Sequence, residues 1–216
     1  MRCWSFDGWS YFTWRYCKVM KFEILDLNFC DFKSGFNLNG LNPLQKRRLS
    51  IPSKCIYTLI KNSVKFNMPC VFASNYGEFH RCLNLLSGLS LTNSVSPTSF
   101  SLSVLNSALA TFFIKHEIHS PLFAISSENL VEDAVICAYS KLLEFNEICV
   151  ICYEEVPFSD EFYSSSFIIK SGNSISLEIS QEKIISNLVN LENFRENFGK
   201  DFSWSGREIG YRWKFL

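Results

Sequence analysis

Residues Ser96 to Tyr153 read SPTSFSLSVLNSALATFFIKHEIHSPLFAISSENLVEDAVICAYSKLLEFNEICVICY, and the middle of this stretch decides the fold. Leu122–Ile125 is apolar without alternation, the pattern of a short strand covered on both faces. Ser126, Ser127, Glu128 and Asn129 supply the small polar residues of a tight strand-to-helix turn. From Asn129 the spacing becomes helical, with Val131, Ala134, Val135, Ala138, Leu142 and Phe145 on one stripe. Asn129 and Glu132 stand at capping-box spacing. Strand-to-helix turns of this kind often carry a nucleophile in α/β enzymes, because a helix N-terminus favours negative charge. This turn has no cysteine.

The flanking segments extend the same alternation. Phe22–Phe29 reads as a first strand, and Asn37–Pro43 as a turn-rich connection. Gln45–Arg48 is a basic, solvated helix face. Beyond Pro52, which should start or kink a helix, Cys55, Ile56, Leu59, Ile60 and Val64 mark a helical stripe. Pro69–Ala73 is a buried strand ending in the turn Ser74–Gly77. Glu78–Leu89 is a helix expected to turn Phe79, Cys82, Leu83, Leu86 and Leu89 inward. Ser96–Ser99 begins an extended stretch, and a helix develops around Ser103 with Val104, Leu105, Ala108, Leu109, Phe112 and Phe113 inward. Ile148–Tyr153 is a further strand. The order of strands and helices predicts a mainly parallel sheet with helices packed on it. After Pro157, Phe162–Lys170 and Ser174–Ile179 are expected to pair as a hairpin through Ser171-Gly172-Asn173. Ile184–Phe198 reads as a helix, and the end is aromatic and basic.

Composition bounds the function. In 216 residues, 47% are apolar and 19% charged, enough for one domain with a proper core. A formal net charge of +0 gives no electrostatic reason to expect nucleic acid or an anionic membrane as partner. No run approaches the roughly 20 apolar residues that span a bilayer, and a cytoplasmic protein is expected. The nine cysteines are scattered. Cys149 and Cys152 would face opposite sides of a strand, so buried thiols of a reduced compartment are the expected reading. His80, His116 and His119 are isolated, and neither a metal nor a cofactor is expected. The aromatic segment Met1–Lys18, with Trp4, Trp9 and Trp14, should cover a surface of its own domain, with docking on another subunit as the alternative.

Four stretches together, RRLS at Arg47–Ser50, VFASNYGE at Val71–Glu78, SPTSFSLSVLNS at Ser96–Ser107 and ENLVEDA at Glu128–Ala134, resemble the β-ketoacyl synthase-like N-terminal domain family, over roughly Leu41–Pro157. The resemblance implies an α/β, thiolase-like half-fold: a mainly parallel five-stranded sheet with flanking helices. It divides the chain into an aromatic segment packed on the domain (1–40), the synthase-like domain (41–157) and a hairpin and helix that complete it (158–216). In complete condensing enzymes the strand matching Leu122–Ser126 pairs across a dimer axis, and the turn after it presents a nucleophilic cysteine. Here that turn is Ser-Ser-Glu-Asn-Leu, Cys137 lies two turns into the helix, and no histidine follows His119. Both an activated sulfur and oxyanion stabilisation are needed for attack on an acyl thioester. The expected protein is therefore a non-catalytic subunit of chain-length-factor type. It would pair with an active ketosynthase in fatty-acid-like or aryl polyene synthesis, with an acyl carrier protein as a further partner and a homodimer also compatible. Ser127, Glu128 and Asn129 would mark the cleft at the nucleophile-equivalent turn. Asn106 would be a buried polar residue bonded near Ser127. Ser99, Phe100, Leu122, Phe123 and Ile125 would form a subunit interface. Two other readings stand beside this one: an acyl-thioester enzyme using Glu128 for malonyl decarboxylation or acyl transfer, and a purely structural interaction domain.

Overall fold

The computed structural model describes residues 19–60, 67–156, 158–180, 188–205 and 209–216. The aromatic segment before Val19, Val64, and the first part of the helix expected from Ile184 lie outside them.

The strands are β1 (Val19–Asp31), β2 (Cys70–Ser74), β3 (Leu122–Ser126), β4 (Glu147–Glu155), β5 (Phe162–Ser171), β6 (Ile175–Ser180), β7 (Phe202–Ser205) and β8 (Gly210–Phe215). The helices are α1 (Pro43–Arg48), α2 (Ile51–Ile60), α3 (Phe79–Thr92), α4 (Pro97–Ser101), α5 (Ser107–Lys115), α6 (Leu130–Lys141) and α7 (Asn190–Asn197). The strands form one sheet in the order β3-β2-β4-β5-β1-β6-β8-β7. The α/β class is as expected, but the sheet has eight strands where five were expected. Among the described residues, β3-β2 and β2-β4 are the parallel pairs, and the other pairings are antiparallel.

Side-chain alternation sorts the core into two layers. On β4, Ile148, Val150 and Cys152 face α6 and α7, while Cys149, Ile151 and Tyr153 face α2 and α5. The two cysteines of the CxxC thus point to opposite sides, as strand periodicity requires. All described cysteines are free thiols. Pro52 lies in the first turn of α2, where its missing N–H leaves no helical bond unmade.

Several expectations are corrected by long-range packing. The hairpin of β5 with β6 does not form, because β1 lies between them and pairs with both. A Cβ on Gly172, in the connection, would come within 2.3 Å of Glu23 Cγ on β1. That glycine admits a third strand; it does not close a two-strand turn. Ser96–Ser99 is not extended: Ser96 caps α4, its hydroxyl accepting from Ser99 N at 3.4 Å. The next helix starts at Ser107, so Val104 stays exposed while Ala108, Leu109, Phe112 and Phe113 are buried. β3 is an edge strand, half-exposed and not covered on both faces. The C-terminal residues 210–215 complete the sheet as β8, with Trp213 fully buried among Phe22, Phe194 and Phe202.

The largest reversal is α3. Its apolar stripe is where the spacing puts it, but none of its residues is buried. Leu83, Leu86 and Leu89 are 39%, 57% and 41% exposed. Amphipathic spacing fixes which residues share a face and not what covers that face. Among the described residues, no helix is long and apolar enough to cross a membrane.

Candidate functional site

The carboxyl ends of the parallel strands β2, β3 and β4 converge, and polar side chains stitch them together. Asn75, just past β2, accepts from Glu155 N and donates to the Glu155 carbonyl, both at 3.2 Å. Its own carbonyl accepts from Ser126 Oγ at 3.3 Å, bringing in the end of β3. Ser74 Oγ accepts from Gly77 N at 2.8 Å and tightens the turn into α3. Gly77 has φ +59° and a Cβ there would lie 3.2 Å from Leu105 Cα, so a side chain is excluded twice over.

On the α2 side of this edge sit two buried carboxyls. Glu78 accepts from Ser50 Oγ at 2.6 Å and pairs with Arg81 at 3.3 Å. Glu155 accepts from Tyr153 OH at 3.0 Å, and the His80 imidazole lies 2.5 Å from its other oxygen. Burial pushes both carboxyls above their ordinary range, against the opposing pull of Ser50 and Arg81 on Glu78 and of His80 on Glu155. Neither pair is visible in the sequence, where His80 stands alone. The legible signal was Glu154-Glu155 at the end of a buried strand.

On the α6 side lies the turn that the family resemblance singles out. Ser127 donates to Asp133 Oδ2 and accepts from Asn129 N at 3.0 Å. Asp133 accepts a second bond from Tyr211 OH at 3.0 Å. Ser127 and Asn129 are half-buried, while Glu128 is exposed. Asn129 precedes α6, but its side chain makes no capping bond. The expected capping box fails because Glu132 turns into the core, accepting from Trp213 Nε1 and Asn190 Nδ2 at 2.9 Å each. Asn190 reciprocates by accepting from Val131 N at 2.9 Å. One step further, Glu154 accepts from Leu191 N at 2.8 Å and Asn190 N at 3.3 Å, holding the start of α7.

Burial pushes up the Glu132 and Asp133 carboxyls and takes Glu154 to about 7, even though these bonds favour the charged forms. The chemistry of the turn follows from this accounting. Its hydroxyl is committed to Asp133, and two N–H groups at the helix entrance are engaged by Ser127 and Asn190. Cys137 stands in α6 with its thiol pushed up by burial, the opposite of what a nucleophilic thiolate needs. Among the described residues, no group of three or more His, Cys, Asp and Glu side chains is arranged to hold a metal ion.

The remaining singled-out residues lie on α4, before α5 and along β3. Asn106 is the residue before α5, half-buried and making no side-chain cap, and Ser127 is already bonded elsewhere. Phe100 on α4 is 64% exposed, and Ser99 beside it is half-buried. Leu122, Phe123 and Ile125 lie half-buried along edge strand β3. Phe123 and Ile125 pack towards the α6 layer, with Lys141 Nζ 5.0 Å from the Phe123 ring centroid.

Residues 30–191 match the family model described as "Beta-ketoacyl synthase, N-terminal domain". No curated protein matches the sequence. Among solved structures, one chain of the complex between a ketosynthase (ApeO) and its chain length factor (ApeC) from Xenorhabdus doucetiae is similar, with TM-score 0.73 and 15% identity. The match covers 90% of this chain and 99% of that one. The ishigamide ketosynthase/chain length factor aligns with TM-score 0.44 at 14% identity, over 53% of this chain and 41% of that one. A β-ketoacyl-[acyl carrier protein] synthase III from Thermus thermophilus aligns with TM-score 0.36 at 8% identity, over 60% and 40%.

Proposed function

This chain belongs to the family of β-ketoacyl synthase N-terminal domains, and on that premise we propose that it is a non-catalytic subunit of chain-length-factor type. It pairs with an active ketosynthase, closes one side of the acyl tunnel and takes no covalent intermediate itself. The observation that carries this reading is the turn after β3. Where condensing enzymes present a cysteine, this chain has a serine bonded to a half-buried carboxyl, and its nearest downstream thiol is raised by burial rather than activated. Two features support a partner. Among the described residues, the outer edge of β3 has no strand beside it, and unpaired edges invite a further strand. The apolar stripe of α3 is left uncovered. The fold of the ApeO–ApeC chain agrees with the reading. Within it, acyl groups reach the partner on an acyl carrier protein, and the setting is cytoplasmic fatty-acid-like or aryl polyene chain assembly.

The test is intact-mass measurement after exposing the chain, with and without a co-expressed ketosynthase, to acyl and malonyl thioesters and to cerulenin. The expected result is stoichiometric modification of the ketosynthase and none of this chain. A stoichiometric adduct on any of its cysteines, matching turnover, overturns the proposal.

A further inference from the structure

From Cys82 to Ile114 the chain carries no Asp, Glu, Lys, Arg or His, although 19% of the whole sequence is charged. The last part of this stretch is α5, which enters the core. The first part, Cys82–Asn106, contains no buried residue. It comprises most of α3, the connection to α4, and α4 itself, and it turns Leu83, Leu86, Leu89, Leu91, Phe100 and Val104 to solvent. A solvated surface carries about a quarter to a third of charged residues, so exposure to water does not account for this composition. The hydroxyls are already engaged. Ser90 donates to the Ser87 carbonyl at 2.8 Å, Thr92 to that of Gly88 at 2.9 Å, Ser101 to that of Thr98 at 2.9 Å and Ser103 to that of Phe100 at 2.7 Å. These bonds survive when water leaves, so covering the surface strands none of the four donors. Lys, Arg, Glu, Gln and Met, the side chains that cost most to order, are absent from it.

We infer that Cys82–Asn106 is the surface on which the ketosynthase seats, through a ketosynthase face that is itself apolar and uncharged; the identity of the partner rests on the function proposed above. Depletion of charge is the compositional mark of an interface core. The 25 residues of this surface match the roughly 20–30 that one side of a standard interface takes. An amphipathic helix on an anionic membrane carries Lys and Arg on its polar face, and a nucleic acid calls for the same cations; this surface provides none. It is also continuous with the strand edge assigned to the ketosynthase. Ser126, at the end of β3, donates to the Asn75 carbonyl at 3.3 Å, and α3 begins four residues after Asn75. That continuity favours the ketosynthase over a second copy.

The test titrates a purified ketosynthase with the full wild-type chain and with Leu86→Asp, Phe100→Asp and Leu143→Asp, and follows alkylation of Cys82 by iodoacetamide in the wild-type complex. Leu86 and Phe100 are 57% and 64% exposed, so a carboxylate at either should leave the melting temperature of the isolated chain within a few degrees. Each of these two variants should raise Kd at least about tenfold. Leu143→Asp, at an exposed site outside the surface, should leave Kd unchanged. The Cys82 thiol, exposed in the chain alone, should react at least about tenfold more slowly in the complex. A wild-type complex in which Cys82 reacts at its free rate, or which both α3 and α4 variants form with unchanged Kd, overturns the inference and leaves the ketosynthase pairing standing. A wild-type chain that forms no complex overturns the pairing and the inference with it. Variants that melt far below the wild type as isolated chains show a surface covered by the chain itself, and self-association that they abolish assigns it to a second copy; either result overturns the inference.

Discussion

Glu132 is 1% exposed, and both donors to its carboxyl, Trp213 Nε1 and Asn190 Nδ2, are neutral. Removing it strands two buried donors, each with a desolvation penalty of about 1–3 kcal/mol. Glu132→Ala should therefore lower unfolding free energy by roughly 2–5 kcal/mol in urea titration. Glu132→Gln, which keeps the shape and one acceptor, should cost clearly less. Gly77→Ala should cost about 1–3 kcal/mol by the same measurement, because φ +59° and the Leu105 backbone both oppose a side chain. Residue identity was legible here and residue role was not. The spacing of Asn129 and Glu132 is that of a capping box, but Glu132's partners lie about sixty and eighty positions away in sequence. A local rule has no access to them. The role of His80 was hidden in the same way, since its carboxyl comes from β4.

At the scale of elements, the seating of the start of α7 on β4 rests on Glu154, whose buried carboxyl is pushed from 4.5 up to about 7. The native state therefore binds this proton more tightly than the unfolded chain does. Stability from this group is fully present below pH 4.5 and falls as pH rises through about 7, by about 3 kcal/mol across the window. Glu132 and Asp133 are raised too and act with the same sign. Thermal or urea midpoints measured from pH 5 to 8 should decline, and Glu154→Gln should flatten much of that slope. Strands β2, β3 and β4 were readable because each is a short apolar run bounded by polar turn residues. The β5–β6 connection misled because its turn residues are those of a hairpin. The strand that separates β5 from β6, β1, begins about 140 residues earlier in the chain, and only the contact of Gly172 with Glu23 betrays it. α3 was found, but its burial was not, since the stripe on a helix looks the same whether its cover is the same chain or another.

For the whole molecule, the outer edge of β3 and the apolar stripe of α3 leave pairing and burial unmet among the described residues. Phe123 is a poor place to probe it, because its ring also packs towards the α6 core and beneath Lys141. Ala124 is exposed on the same strand, so Ala124→Lys should charge the edge and leave the melting temperature of the isolated chain within a few degrees. The central claim is pairing with a ketosynthase, and light-scattering mass of the chain co-purified with a ketosynthase tests it most directly. The expected result is a one-to-one complex whose affinity Ala124→Lys lowers at least tenfold, a loss of about 1.4 kcal/mol. A chain that stays monomeric beside the ketosynthase at about 100 μM, roughly a hundred times a micromolar Kd, would contradict it.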